Sequence, residues 1–250
     1  MPPRRSGKPL LIIGVIVAVV LVIGGGGAGA FWLFPRVFNA GGAESSAPTR
    51  PAAPKFHSLP GGCSIVTRQA AQRLVPGSEV RVIGPDRAGD GEGYMCVWGG
   101  TGPRSLRIEM TAYPSNIARS GDEVAKQHMD GYRGDAQASA GRTQIDGART
   151  TVYGRLQELT GLGDEAFGAF RMIRPTNSDQ DEPFQVGAPA GSDGIARIYL
   201  RVANVTVQVE YTASAQDGTK PLGERAAMQA AQTATRDVVQ ALNSCTTCGG

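Results

Sequence analysis

The hydrophobic pattern changes character three times along this chain. From Leu10 to Phe34 the sequence reads LLIIGVIVAVVLVIGGGGAGAFWLF, 25 residues without a charge. As a helix that run extends about 37 Å, enough to cross a hydrocarbon core of about 30 Å. From residue 35 to 60 the pattern dissolves into Pro, Ala, Gly and Ser, the composition of a flexible, partly extended tether. After that, short alternating and helical patterns take over, and residues 61–250 are read as one domain.

Within the domain, CSIVTRQAAQRLVPG predicts a short helix capped by Thr67 and ended by Pro76-Gly77. EVRVIG at 79–84 and GYMCVWG at 93–99 read as strands around a Gly- and Asp-rich loop. RSLRIEMTAY at 104–113 alternates: Leu106, Ile108, Met110 and Ala112 point one way, Arg107, Glu109 and Thr111 the other, as in a half-buried strand. Ser120 and Glu123 stand at capping-box spacing, so a helix starts near residue 121. Residues 134–150 are small and polar and read as a long loop.

The sharpest pattern lies in IARIYLRVANVTVQVEYT, 195–212. A two-residue turn at Ala203-Asn204 sets Val202 against Val205, Leu200 against Val207 and Ile198 against Val209 on one apolar face. The other face then pairs Tyr199 with Gln208 and Arg197 with Glu210. A slip of one residue would reverse every side chain, so the two faces fix one register. Alanine is a poor first residue for a type I′ turn, which leaves a slightly longer turn open. Toward the C-terminus, Ala227, Ala231, Ala234, Val238 and Leu242 form the apolar stripe of an amphipathic helix. Antiparallel strands with a helix near each end predict an α+β domain, a mostly antiparallel sheet packed by helices.

Charge sharpens the topology. The net charge of +3 hides an uneven split: residues 1–60 carry Arg4, Arg5, Lys8, Arg36, Arg50 and Lys55 against Glu44 alone. The remaining 19 basic and 21 acidic side chains give the domain −2, no general reason to bind nucleic acid. Arg4, Arg5 and Lys8 precede the apolar run and only Arg36 closely follows it, so the positive-inside rule keeps residues 1–9 cytoplasmic and exports the rest. Trp32 and Phe34 stand where an interfacial anchor would. We read 10–34 as an uncleaved single-pass membrane helix; the alternative is a signal peptide cut after the small residues Ala28–Ala30. No cysteine lies near the end of the run, which argues against a lipid-modified N-terminus. Gly14, Ala18, Gly25 and Gly29 give small-x-x-x-small spacings that would let a membrane partner approach.

Export makes disulfides the natural reading of Cys63, Cys96, Cys245 and Cys248, and four cysteines allow three pairings. CTTC at 245–248 follows a helix, whereas a reactive Cys-x-x-Cys sits at a helix N-terminus; it reads as a local bridge or staple. An oxidising compartment also disfavours a four-cysteine zinc site.

Other candidates give way to structural readings. In GLGDEAFG, adjacent Asp164 and Glu165 diverge on a helix or a strand and cannot readily act as an acid–base pair. Gly161 and Gly163 permit a tight turn there, Asp164 braces it, and Ala166-Phe167 starts a buried strand. In NSDQDE, Asn177, Asp179 and Asp181 suit calcium-loop positions 1, 3 and 5, but Glu182 replaces the glycine and Ala188 the final glutamate. Arg133-Gly134-Asp135 is a tripeptide that a Gly- and Arg-rich chain produces by chance, and the sequon at Asn204 falls in the expected hairpin. Only two histidines occur, His57 and His128, and no hydrolase, zinc-protease or P-loop motif is present. Neither a cofactor nor a metal is implied.

Cys63 in CSIVT, Cys96 and Trp98 in CVW, GLGDEAF, LRVANVTVQVEY and the Ala-rich last helix occur in an order that resembles an actinobacterial family of exported envelope proteins, many of them lipoproteins. That family is similar to the extracytoplasmic sensor domains of actinobacterial serine/threonine kinases. The resemblance spans about residues 61–245. It implies an α+β sandwich and a Cys63–Cys96 bridge, and supplies no catalytic residues. Such a bridge closes about 33 residues, worth about 3–4 kcal/mol by chain entropy; Cys63 with a C-terminal cysteine is the other pairing. Two features depart from the family, the membrane run in place of a lipidated cysteine and the terminal CTTCGG. The expectation is a membrane-anchored, sensor-like binding module of the cell envelope, with an envelope ligand or a membrane-protein partner. An envelope enzyme and a structural spacer are the alternatives.

Overall fold

In the computed structural model the described residues are 53–86, 91–100, 102–176, 191–215 and 221–249. The apolar run, most of the tether and the NSDQDE segment lie outside them. The described residues form an α+β structure whose centre is a nine-stranded antiparallel sheet. Its strands are β1 (Glu79–Asp86), β2 (Glu92–Gly99), β3 (Arg104–Ala112), β4 (Thr143–Asp146), β5 (Arg149–Tyr153), β6 (Gln157–Glu158), β7 (Glu165–Pro175), β8 (Asp193–Val202) and β9 (Val205–Ser214). They lie in the order β1-β2-β3-β9-β8-β7-β5-β4, and β6 also pairs with β7. Three helices accompany them: α1 (Arg68–Leu74), α2 (Gly121–Ser139) and α3 (Glu224–Ser244). Among the described residues no helix is long and apolar enough to cross a membrane.

The two sheet faces are covered by different helices. Leu106, Ile108 and Met110 of β3, Val207 and Val209 of β9 and Ile198 and Leu200 of β8 are buried on one face. There they share a core with Ala227, Ala231, Ala234, Val238 and Leu242 of α3 and with Ala70 and Ala71 of α1. Small side chains on α3 let its backbone come close to the sheet. On the other face α2 sets Met129 against Phe167 and Tyr199. The β8–β9 register pairs Val202 with Val205, Leu200 with Val207 and Arg197 with Glu210, the alternation expected from the sequence. Ala203 at its turn has φ 50° and is the one described non-glycine with positive φ. Positive φ at the first turn position alone is the type II′ pattern, not I′.

Two segments differ from their sequence expectations. Residues 134–150 are not a long loop: α2 runs on to Ser139, and β4 and β5 form a hairpin. All four β4 residues are exposed, so no apolar alternation marks the strand. It is held by its ladder to β5, which in turn pairs with β7. The end of the tether, in turn, belongs to the domain. Phe56 is buried; its N–H donates to Asn204 Oδ1 at 2.9 Å and its carbonyl accepts from Asn204 Nδ2 at 2.8 Å. His57 N–H donates to the Cys248 carbonyl at 2.7 Å. A Pro- and Ala-rich composition conceals this strap because a single aromatic and backbone bonds hold it.

Candidate functional site

The GLGDEAFG turn is the first place to look for chemistry. Gly161 and Gly163 take φ of 75° and 70°. Asp164 Oδ2 accepts the Ala203 N–H at 2.6 Å, and the Asp164 N–H donates to the Arg201 carbonyl at 2.9 Å. Glu165 turns to other partners, accepting from Arg133 Nη2 at 2.9 Å with Arg201 Nε 3.9 Å away. Arg201 lies within 3.5 Å of Asp164 and 3.9 Å of Glu165, so both carboxylates are taken up by structural contacts, Asp164 as a turn brace and Glu165 in an ion-pair network with Arg133.

Thr67 Oγ1 accepts from the Ala70 N–H, and Ser120 with Glu123 forms a reciprocal capping box. Cys63 is bonded to Cys96, and Cys245 to Cys248. Asn204 is buried with three hydrogen bonds, to Phe56 N–H, Phe56 O and Tyr113 O, so its amide is already engaged. Arg133 lies 4.7 Å over the Phe167 ring and is paired to Glu158 and Glu165. His128 stacks on Tyr113 at 4.6 Å, the start of a ladder through Tyr132, Tyr199 and Phe167. Burial, aided by Tyr113, Glu109 and Tyr199, pushes the Tyr132 hydroxyl up to about 12.

Convergent and incompletely satisfied charge appears where this ladder ends, in a cleft of about 190 Å³ between the last turns of α2 and the sheet. Its lining includes Asp135, Ala136 and Ser139 of α2, Ala140 just beyond it, Tyr153 at the end of β5, Phe170 and Arg171 of β7, and Ile195, Arg197 and Tyr199 of β8. Register explains the grouping: Tyr153 pairs with Arg171, Arg171 with Ile195, and Arg197 with Glu210. Arg197 is held by Glu210 through both Nε and Nη2 and donates to the Tyr199 hydroxyl at 3.2 Å. Burial alone would lower the Arg197 pKa; Tyr199 and Glu210 together push it above its ordinary value. Arg171 is different. Its side chain is 34% exposed, its charge partner is Glu210 at 3.9 Å, and its Nε is buried without a hydrogen bond. Glu210, 17% exposed, thus faces two guanidiniums, and one positive charge is left over.

Two other hollows are larger. A trough of about 750 Å³ runs between the 54–62 strap and the adjoining ends of β2 and β3, lined by Phe56, Leu59, Tyr94 and Tyr113 with Glu92 and His57. Its central hydroxyl is spent: Tyr94 donates to the carbonyls of Pro60 and Gly62. A groove of about 610 Å³ separates α1 from β1 and has Val80, Val82 and Trp98 in its lining. Volume favours these hollows, but a half-buried cation whose one carboxylate partner, 3.9 Å away, is shared with a second guanidinium is a stronger sign of a missing ligand than empty space, because its desolvation is only partly compensated. Arg171 was missed in the sequence; its signal is the alternation Glu165, Phe167, Ala169, Arg171 along one strand face.

No family model and no curated protein matches the chain. Among solved structures, the extracellular domain of PknH from Mycobacterium tuberculosis aligns with 66% of this chain and 78% of that chain. The identity is 13% and the TM-score 0.40, a loose likeness.

Proposed function

We propose that this protein is a membrane-tethered, extracytoplasmic binding module, sensor-like in that a ligand site is carried outside the cytoplasm on a membrane anchor. The observation that carries the binding reading is Arg171, a half-buried guanidinium in a cleft wall with no hydrogen bond among the described residues. Location is supported by the uncharged run from Leu10 to Phe34 behind Arg4, Arg5 and Lys8 and by two disulfides that use all four cysteines. The module is non-catalytic in this reading, since Asp164 and Glu165 are engaged elsewhere.

Two measurements test it. Protease added to intact cells should digest the domain, and a domain protected until the membrane is broken would refute the topology. A thermal-shift screen of the full chain in detergent against envelope components should find a ligand whose shift Arg171→Gln abolishes. At a hundredfold excess over Kd the stabilisation is about 2.7 kcal/mol, or roughly 5–10 °C for a domain of this size. A ligand whose shift survives that substitution would move the site away from the cleft.

A further inference from the structure

We propose that the cleft beneath α2 takes a free α-amino acid, its carboxylate on Arg171 and its ammonium toward Asp135 and the carbonyl end of α2. This rests on the cleft being the binding site, and it adds the chemistry of the occupant.

The two walls carry opposite charge. On the sheet side Arg197 is claimed by Glu210, and Arg171 is the cation left over. A guanidinium presents a planar fork that matches carboxylate or phosphate oxygens. The helix side decides between them. The last turn of α2 supplies Ala136 and Ser139 to the lining, with Ala140 at its C-cap, and a helix C-terminus is the negative end of its dipole. Asp135 adds a full negative charge, with no hydrogen bond or ion pair among the described residues. A phosphate on Arg171 would bring up to two negative charges into a cleft whose other wall is itself negative. A monocarboxylate with an adjacent ammonium satisfies both sides, and the α-carbon holds the two groups at the short separation a small cleft demands. A volume of about 190 Å³ excludes lipids and long glycans. Ile195, largely buried and paired with Arg171 across the β7–β8 ladder, supplies an apolar surface for a side chain.

The test is isothermal titration calorimetry on the full chain in detergent micelles, with L- and D-leucine, isocaproate, isoamylamine, leucyl-leucine and inorganic phosphate as probes. Isocaproate is leucine without its ammonium and isoamylamine is leucine without its carboxylate. Leucine of one hand should bind at least about tenfold more tightly than either analogue, as expected when a charged hydrogen-bonding group is left unpaired. Arg171→Gln should weaken leucine by about the same factor, with Arg171→Lys intermediate, and circular dichroism should show both folded. Asp135→Asn should weaken leucine while leaving isocaproate unchanged. The proposal is overturned if neither leucine enantiomer binds, if isocaproate binds as well as leucine, or if Arg171→Gln has no effect. Binding of phosphate or leucyl-leucine alone, lost in Arg171→Gln, would also overturn it while leaving the cleft as the ligand site.

Discussion

Ala203 occupies a backbone region that costs an L-residue about 1–2 kcal/mol, and the neighbouring chain supplies what holds it there. Its N–H is fixed by Asp164, and Asp164 is in turn fixed by its own N–H on Arg201. Asp164→Ala should therefore lower unfolding stability by about 1.5–3 kcal/mol, the range for a hydrogen bond to a charged group, as measured by denaturant titration. The two glycines of the same turn should behave unequally. Gly161 has open space around it, so Gly161→Ala meets only the cost of positive φ, about 1 kcal/mol. A methyl at Gly163 would also run into the Arg201 carbonyl and Val202, so Gly163→Ala should cost at least about twice as much. Equal losses at the two sites would mean that the turn shifts away from β8 freely.

At the scale of elements, the domain is fastened to its N-terminal strap at two points. Asn204 bonds both polar groups of Phe56 and the Tyr113 carbonyl, joining strap, hairpin and the start of the α2 region. Asn204→Ala leaves three buried partners unpaired and should cost about 3 kcal/mol or more, with faster hydrogen exchange at Phe56. The second fastening is Cys248, whose carbonyl accepts from His57 and Ser58. Cys245→Ser with Cys248→Ser removes a bridge that closes almost no chain, so global stability should change by less than about 1 kcal/mol while exchange at His57 and Ser58 rises. The Cys63–Cys96 bridge spans 33 positions, and its removal should cost about 3–4 kcal/mol; similar losses for both bridges would contradict this assignment. The β8–β9 hairpin and the strap differ in how legible they were. The β8–β9 register was readable because both its faces carry pattern, one apolar and one charged. The strap was not, because backbone bonds to Asn204 and Cys248 leave no mark in composition. The β4–β5 hairpin escaped for the related reason that its strands bury almost nothing.

For the whole molecule, fold class followed from alternation and amphipathicity, whereas the cleft did not. It is assembled from α2, β5, β7 and β8, and only the β5–β7–β8 register brings Tyr153, Arg171 and Ile195 into line. Arg197 and Glu210 were readable as a cross-strand pair; the competing claim of Arg171 on the same carboxylate requires the neighbouring strand. The same sheet buries tyrosine hydroxyls on both faces, and this gives the molecule a pH limit. Burial raises the pKa of Tyr94, Tyr113, Tyr132 and Tyr211 above the ordinary 10.0, Tyr132 to about 12. For a group whose folded pKa is raised, the unfolded chain loses its proton first as pH climbs. Between pH 10 and about 12 the folded state holds more protons than the unfolded state, so stability falls with pH across that window and is undiminished below it. Tyrosinate absorbance and loss of circular dichroism should then rise together in one cooperative transition above pH 10. Tyr132→Phe should move that transition to higher pH, because it removes one of the protons whose loss favours unfolding. If most of the six tyrosines instead ionise near pH 10 with the dichroism intact, the aromatic ladder under α2 is open to water, and the packing that shapes the cleft is looser than the contacts among Tyr132, Tyr199 and Phe167 require.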